Sequence, residues 1–275
     1  MRIGTETRHR CAIERVIRHM RREPAGPLPL DEMADIACMS RFHFVRTFRE
    51  ETSISPGRFL AALRIEKAKR LLLDTTRPVT AVCLEAGYAS IGTFTHLFTQ
   101  CVGVSPNRFR TLRDDLHAGA MPKRLPTEFL ASAANISAAK LTGSVSNTPG
   151  PDGLVFIGLF RSRIPRGQPL AGVVVSGPSG FTLALPSPHC KGNLSAFALS
   201  ESADATDYLL PSCDWTWCAS AAVSRARNRR TIELHLRALS IFDPPTLFAL
   251  PLLLGQGGPA VVAIPSRGTR LRRIA

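Results

Sequence analysis

The phrase Ser-Pro-x-Arg-Phe occurs twice in this chain, at residues 55–59 and again at 105–109. Sliding the sequence by fifty brings Ser40 onto Ser90, Phe44 onto Phe94, Phe48 onto Phe98, Ser55 onto Ser105, Pro56 onto Pro106, Arg58 onto Arg108 and Phe59 onto Phe109. These are the residue types that start helices and fill cores. Ser followed by Pro is an N-cap with proline at the first helical position, and two Phe four apart lie on one helical face. The chain therefore repeats a structural unit, and any fold it adopts must accommodate that unit twice.

The unit reads as a short helix, a tight turn, a second helix with an F-x-x-x-F core face, and a capped third helix. A first helix is predicted over 9–21, with Ile13, Ile17 and Met20 on one face, and another over 31–38, with Met33 and Ile36. Ser40 and Ser90 cap the two second helices. From Ser55 a long helix runs to Asp74, with Ala61, Ile65, Ala68 and Leu72 as its buried stripe. The six phenylalanines of the repeat are core residues. Gly87 is expected to supply the turn conformation of the second copy.

Core and caps coincide, but the outward faces do not. In the first copy they carry Arg41, Phe42, Val45, Arg46 and Arg49; in the second, Ile91, Gly92, Thr93, Thr95, His96 and Thr99. A recognition helix reads base edges with its amino-terminal residues and its outward face, so two scaffolds with different faces imply two different DNA subsites. A connecting helix of about 30 Å sets these subsites close to one duplex turn apart, roughly 34 Å.

The stretches "LDEMADIACMSRFHFVRTFREETSISPGRFLAALRIEKAKRLLL" and "VTAVCLEAGYASIGTFTHLFTQCVGVSPNRFR" make residues 9–113 resemble the DNA-binding domain of the AraC/XylS family of bacterial transcription regulators. The resemblance implies two helix-turn-helix units bridged by a long helix, sequence-specific binding of double-stranded DNA, and activation through contact with RNA polymerase. It puts DNA contacts on Ser40, Arg41, Phe42, Val45, Arg46 and Arg49 in the first unit. In the second it puts them on Ser90, Ile91, Gly92, Thr93 and His96. Here the chain departs from the family pattern, because Ser90 to Val102 contains no Lys or Arg. Readout by this helix would rest on apolar contact with thymine methyls and on phosphate contact at the helix N-terminus. Arg58 and Arg108, which keep the same place in both copies, are as consistent with a structural or phosphate-contact role as with base reading, and Arg49, followed by Glu50 and Glu51, as consistent with a solvated ion-pair face as with phosphate contact.

Charge agrees with an anionic partner: 35 Lys and Arg stand against 21 Asp and Glu. Residues 1–124 hold 21 basic and 13 acidic side chains, a net +8, and the last ten residues carry Arg267, Arg270, Arg272 and Arg273. The amino-terminal residues lack the apolar run of a signal peptide, and no apolar cluster approaches the roughly 20 residues that span a bilayer. A cytoplasmic protein with no membrane partner is expected.

Composition changes near residue 120, from helical spacing to Gly, Pro, Ser and short β-prone runs. The runs "KLTGSV", "GLVFIGLF", "AGVVV", "GFTLALP", "NLSAFALS" and "RTIELHLR" predict an antiparallel β-sandwich. The expected organisation is thus a multidomain α plus all-β chain. An all-α double helix-turn-helix domain occupies 1–118, a linker 119–136, the sandwich 137–254 and a basic tail 255–275. The text "FDPPTLFALPLLL" suggests a closing helix. The pattern "FIGLF…IP…GFTLALP" resembles transthyretin-like, carboxypeptidase-regulatory-like domains. Such a sandwich would bind an effector, form a homodimer, or contact another protein.

Catalysis is not expected. His189 and Cys190 are adjacent and, on a strand, would point to opposite faces, and no nucleophile, base and orienter can be assembled. Seven scattered cysteines without a C-x-x-C pair argue against a disulfide framework or a zinc finger. The first four, Cys11, Cys38, Cys83 and Cys101, fall on apolar helical faces and are expected to be buried thiols. His43 and His96 have no second ligand at helical spacing, so neither metal nor cofactor is expected. A different class of reading stays open, in which the helical part is a degenerate, non-specific anion binder and the sandwich is an interaction or ligand-binding module.

Overall fold

In the computed structural model, structure is described for residues 2–117, 139–150, 153–167, 169–185, 187, 189–199, 209–211, 216–223 and 231–248. The linker expected at 119–136, the basic tail at 255–275 and Cys213 lie outside these residues. The chain divides into two compact units. One comprises residues 1–109 with Ser240–Leu247, the other 110–239 with 248–275.

The helical unit contains α1 (Arg2–Arg22), α2 (Leu30–Ile36), α3 (Arg41–Thr52), α4 (Pro56–Asp74), α5 (Val79–Glu85) and α6 (Ile91–Val102), and α7 (Pro106–His117) begins in it. The first helix thus starts seven residues before the predicted one. Ile13, Ile17 and Met20 are fully buried, as their spacing requires. Phe44, Phe48 and Phe59 form an edge-to-face series with centroids 5.6 Å apart at each step, and Phe94, Phe98 and Phe109 repeat the 5.6 Å spacing, with the Phe94–Phe98 pair tilted instead of edge to face. The repeat is therefore the same aromatic core built twice.

The repeat also has a seam. From Ser40 onward the copies match at an offset of fifty, but the first helices match at forty-nine: the N-caps are Pro29 and Pro78, and the αL residues after the helices are Cys38 and Gly87. The turn hydrogen bonds obey the same shift, Met39 N to Ala34 O and Tyr88 N to Cys83 O, each 3.0 Å. The second turn is one residue longer. Gly87 has φ +85°, and a Cβ there would lie 2.6 Å from the Ala25 carbonyl oxygen, so glycine is required by conformation and by space. In the first copy Cys38 holds φ +53° with a side chain.

Three expectations fail in this unit. Ala61 is exposed, because α4 buries Leu60, Ala62, Leu63 and Lys69 as well as Ile65, Ala68 and Leu72, and its apolar stripe runs on a neighbouring line. Cys11 and Cys38 are exposed; only Cys83 and Cys101 of the first four are buried. The N-cap serines divide as well. Ser90 Oγ accepts from Thr93 N and Ser105 Oγ from Arg108 N, both at 3.4 Å, whereas Ser40 and Ser55 start their helices with extended backbone and no side-chain cap bond.

The second unit is a pair of sheets around one apolar core. Its strands are β1 (Lys140–Ser146), β2 (Leu154–Phe160), β3 (Ala171–Ser176), β4 (Gly180–Ala184), β5 (Gly192–Leu199), β6 (Thr216–Val223), β7 (Ile232–His235) and β8 (Arg237–Ala238). The sheets are ordered β4-β1-β7 and β3-β2-β5-β6-β8. Alternate residues Leu141, Val145, Phe181 and Leu183 of one sheet meet Val155, Ile157, Leu159, Leu194, Ala196 and Ala198 of the other. All pairings are antiparallel except β1 with β7, which is parallel. The opposite face of β2 and β5 is also covered, Phe160 and Phe197 packing on Phe248 at 4.9 and 5.7 Å between centroids. Residues 242–248, the described part of the predicted closing helix, form no helix. Pro244 and Pro245 deny the backbone two of the donors a helix would need there. His189 and Cys190 lie in a turn between β4 and β5, not on a strand, and burial pushes the Cys190 thiol up.

Candidate nucleic-acid interface

Each of the helices predicted to read DNA, α3 and α6, is held from behind by its phenylalanines, which fixes the residues it shows to solvent. In α3, Phe44 and Phe48 are fully buried while Arg41, Phe42, Arg46 and Arg49 are exposed and Val45 is half-buried. Phe42 is 89% exposed, so a large apolar ring stands in water beside three guanidinium groups. Burial cannot account for it. Together with Leu30 and Glu50, these five residues line one open groove. In α6, Ser90, Ile91, Gly92, Thr93, His96 and Thr99 are exposed around buried Phe94 and Phe98, and Ile91 is 43% exposed. The structure thus assembles the first set of predicted residues on one surface of α3 and the second on one surface of α6.

The two faces differ in chemistry position by position: Arg41 corresponds to Ile91, Phe42 to Gly92, Val45 to Thr95, Arg46 to His96 and Arg49 to Thr99. The α3 face offers forked cationic donors and one aromatic plane; the α6 face offers small side chains, hydroxyls and one imidazole.

Two of the cations already have partners. Arg46 Nε lies 2.9 Å from Glu50 Oε1, one helical turn away, and Arg41 Nε lies 3.0 Å from Asp31 Oδ1 on α2. Glu50 raises the Arg46 pKa through this hydrogen bond and its charge. The acidic residue next to Arg49 in sequence therefore serves Arg46, which is where i,i+4 geometry directs it. Both pairs are largely exposed, so each is weak and exchangeable for an anionic ligand. Sequence reading missed Leu30 and Glu50 as groove residues; the four-residue spacing from Arg46 was the available signal for Glu50. It also missed that His9 of α1 meets His43 of α3, with Nε2 atoms 3.4 Å apart, a pairing across 34 residues that no local spacing reveals.

Two short helices joined by a tight turn, the second with an exposed polar face, define a helix-turn-helix, and the unit contains two of them. Residues 33–111 match the model of a helix-turn-helix domain. Over 88 residues the chain is 35% identical to an uncharacterized helix-turn-helix transcriptional regulator of Haemophilus influenzae, covering 32% of this chain and 30% of that one. Over 85 residues it is 35% identical to a helix-turn-helix transcriptional regulator of Mycobacterium tuberculosis, covering 31% and 33%. Among solved structures, the DNA-binding domain of the global transcriptional factor AdpA, in complex with a target DNA, aligns with TM-score 0.36 and 25% identity, over 41% of this chain and 97% of that one. The chain spans about a third of the length of the curated relatives it matches.

No helix among the described residues is long and apolar enough to cross a membrane.

Proposed function

We propose that this chain is a sequence-specific DNA-binding transcription regulator, cytoplasmic and not an enzyme, which inserts α3 and α6 into successive major grooves and activates transcription. One observation carries the reading: two helices on duplicated scaffolds share their buried phenylalanines and differ at every outward position compared. A scaffold kept constant behind two divergent surfaces is suited to reading two different half-sites. The span between them is supplied by α4, whose 19 residues extend about 28 Å.

Arg41 and Arg46 donate to guanine edges or phosphates, Arg49 neutralises phosphate, and Phe42 and Val45 contact thymine methyls. On the second helix Ile91 and Gly92 allow close apolar approach, His96 donates to a base edge, and the N-terminal amides near Ser90 and Thr93 meet phosphate. The β-sheet unit modulates binding as an effector-binding or dimerising part, and contact with RNA polymerase accounts for activation.

Selection of bound sequences from a random DNA pool with the full chain tests this. The expected result is a motif of two boxes about one helical turn apart, whose binding survives excess random competitor and weakens steeply with salt. Saturable binding without any enriched motif would favour a degenerate anion-binding surface and an interaction role for the β unit.

A further inference from the structure

A segment from far along the chain, Ser240–Leu247, belongs to the helical unit, while Leu239 before it and Phe248 after it belong to the other. It enters in a fixed shape. Ser240 N donates to Asp243 Oδ2 at 2.7 Å and Asp243 N donates to Ser240 O at 2.9 Å, which closes a turn. Pro244 and Pro245 then hold φ through their rings. A segment preorganised in this way loses little conformational freedom when it docks.

The segment reaches both copies of the repeat. Phe242 lies under Arg10 of α1, the guanidinium carbon 4.6 Å from the ring centroid, and α1 packs on α2 and α3 of the first copy. Four residues on, the Thr246 carbonyl accepts from Lys69 Nζ in the second half of α4. That nitrogen stands over Phe109, whose ring closes the second aromatic core on Phe98. Pro245, Thr246 and Leu247 are buried. Helix α4 joins the copies covalently, and the segment ties them again through a path off the helix axis. Two bodies joined by one helix can swing through small changes at its ends, and an added tie removes that freedom.

We propose that Ser240–Leu247 is a clamp that fixes one helix-turn-helix against the other and so sets the spacing of the two DNA boxes the chain accepts. This rests on the reading of α3 and α6 as helices that enter successive grooves. Arg10, Lys69 and Phe109, which the clamp engages, lie outside the outward faces of α3 and α6, so it acts on where those helices stand and not on the bases they meet. A rigid pair binds two boxes strongly at one spacing and poorly at others. A loosened pair loses affinity at that spacing and tolerates the rest.

The full chain tests this with Phe242→Ala, which removes the ring under Arg10, and with Pro244→Gly plus Pro245→Gly, which restores freedom to the segment. Acetylation of amines read by mass spectrometry reports docking without DNA: Lys69 should resist the reagent in wild type and react in a loosened chain. The variant that exposes Lys69 and keeps the wild-type circular dichroism spectrum is compared with wild type on three kinds of duplex: the selected two-box sequence, the same with one or two base pairs inserted between the boxes, and each box alone. It should lose about fivefold or more of the preference for the selected spacing and bind each single box as wild type does. A reactive Lys69 in wild type would overturn the proposal, as would a variant with exposed Lys69 that keeps the full spacing preference. An equal loss on every duplex, single boxes included, would make the segment a general support of the fold and overturn it too. Absence of any two-box motif would instead remove the underlying reading, and this inference with it.

Discussion

Lys69 Nζ donates a hydrogen bond of 3.2 Å to the carbonyl oxygen of Thr246, a partner 177 residues away in sequence. The ammonium is fully buried and stands 5.6 Å from the centroid of the Phe109 ring. Residues 240–247 belong to the helical unit, and Thr246 and Leu247 are buried in it. A cationic side chain thus closes a packed interior with a carbonyl, an aromatic face and the charge of Glu66 to stabilise it.

Burial lowers the Lys69 pKa to about 7, and Glu66 offsets only part of that effect. In the unfolded chain the group titrates near 10.4. Between these values the unfolded state holds the proton and the folded state does not, so stability should rise with pH from about 7 toward 10. The contribution of Lys69 between pH 7 and 9 is on the order of 2 kcal/mol. Lys69→Met, which keeps volume and removes the charge, should abolish this component. Chemical denaturation of wild type and variant across that range measures it, and parallel pH profiles would refute the assignment.

The two turns should respond oppositely to substitution. Gly87→Ala forces a side chain into φ +85° and against the Ala25 backbone, and should cost about 2 kcal/mol or more. Cys38→Gly relieves an αL residue at φ +53° and should stabilise by about 0.5 kcal/mol, the relief partly offset by the greater freedom of glycine in the unfolded chain. Denaturant midpoints of both variants check the pair of signs.

These positions also show what sequence could reveal. The phenylalanine series and the starts of α3, α4, α6 and α7 were legible because each depends on residues within one or two turns, whereas α1 begins seven residues before its predicted start. Gly87 was legible because only glycine fits such a turn cheaply. Lys69 was not: a lysine in a helix reads as solvent-facing, and the segment that covers it lies far along the chain. Ala61 was misplaced because α4 packs over more of its circumference than a single stripe. Strands β1 to β5 and β7 were legible from short alternating or continuous apolar runs and β6 was not among those runs, while the parallel pairing of β1 with β7 depends on which strand fills a sheet edge, which such runs do not encode. On the interface, outward positions could be read from the phenylalanines behind them, whereas the ties from Arg41 to Asp31 and from His43 to His9 join separate helices.

The pairing of Arg46 with Glu50 predicts a gain of function. If Arg46 meets DNA as proposed, the carboxylate at its Nε competes with DNA for the guanidinium, and Glu50 also repels phosphate. Glu50→Gln should therefore tighten DNA binding several-fold at low salt, with the gain shrinking as salt screens the charge. Arg46→Ala should weaken binding about tenfold and relax preference at one position of the selected motif. Fluorescence anisotropy with the selected duplex and single-position variants reads both. A uniform loss across all variants would place Arg46 on phosphate instead of a base.

Two phenylalanines of α3 that lie two residues apart separate fold from recognition. Phe44 is fully buried against Phe48, so Phe44→Ala should cost about 3–5 kcal/mol of stability. Phe42, 89% exposed, has little packing to lose, and Phe42→Ala should leave the unfolding free energy within about 0.5 kcal/mol of wild type. Such exposure leaves the ring its full apolar area to bury against a ligand. Phe42→Ala should thus reduce affinity for the selected duplex at least fivefold without altering the salt slope, because it removes an apolar contact and no charge. A stable variant with undiminished affinity would remove Phe42 from the interface and leave the α3 arginines as its binding groups.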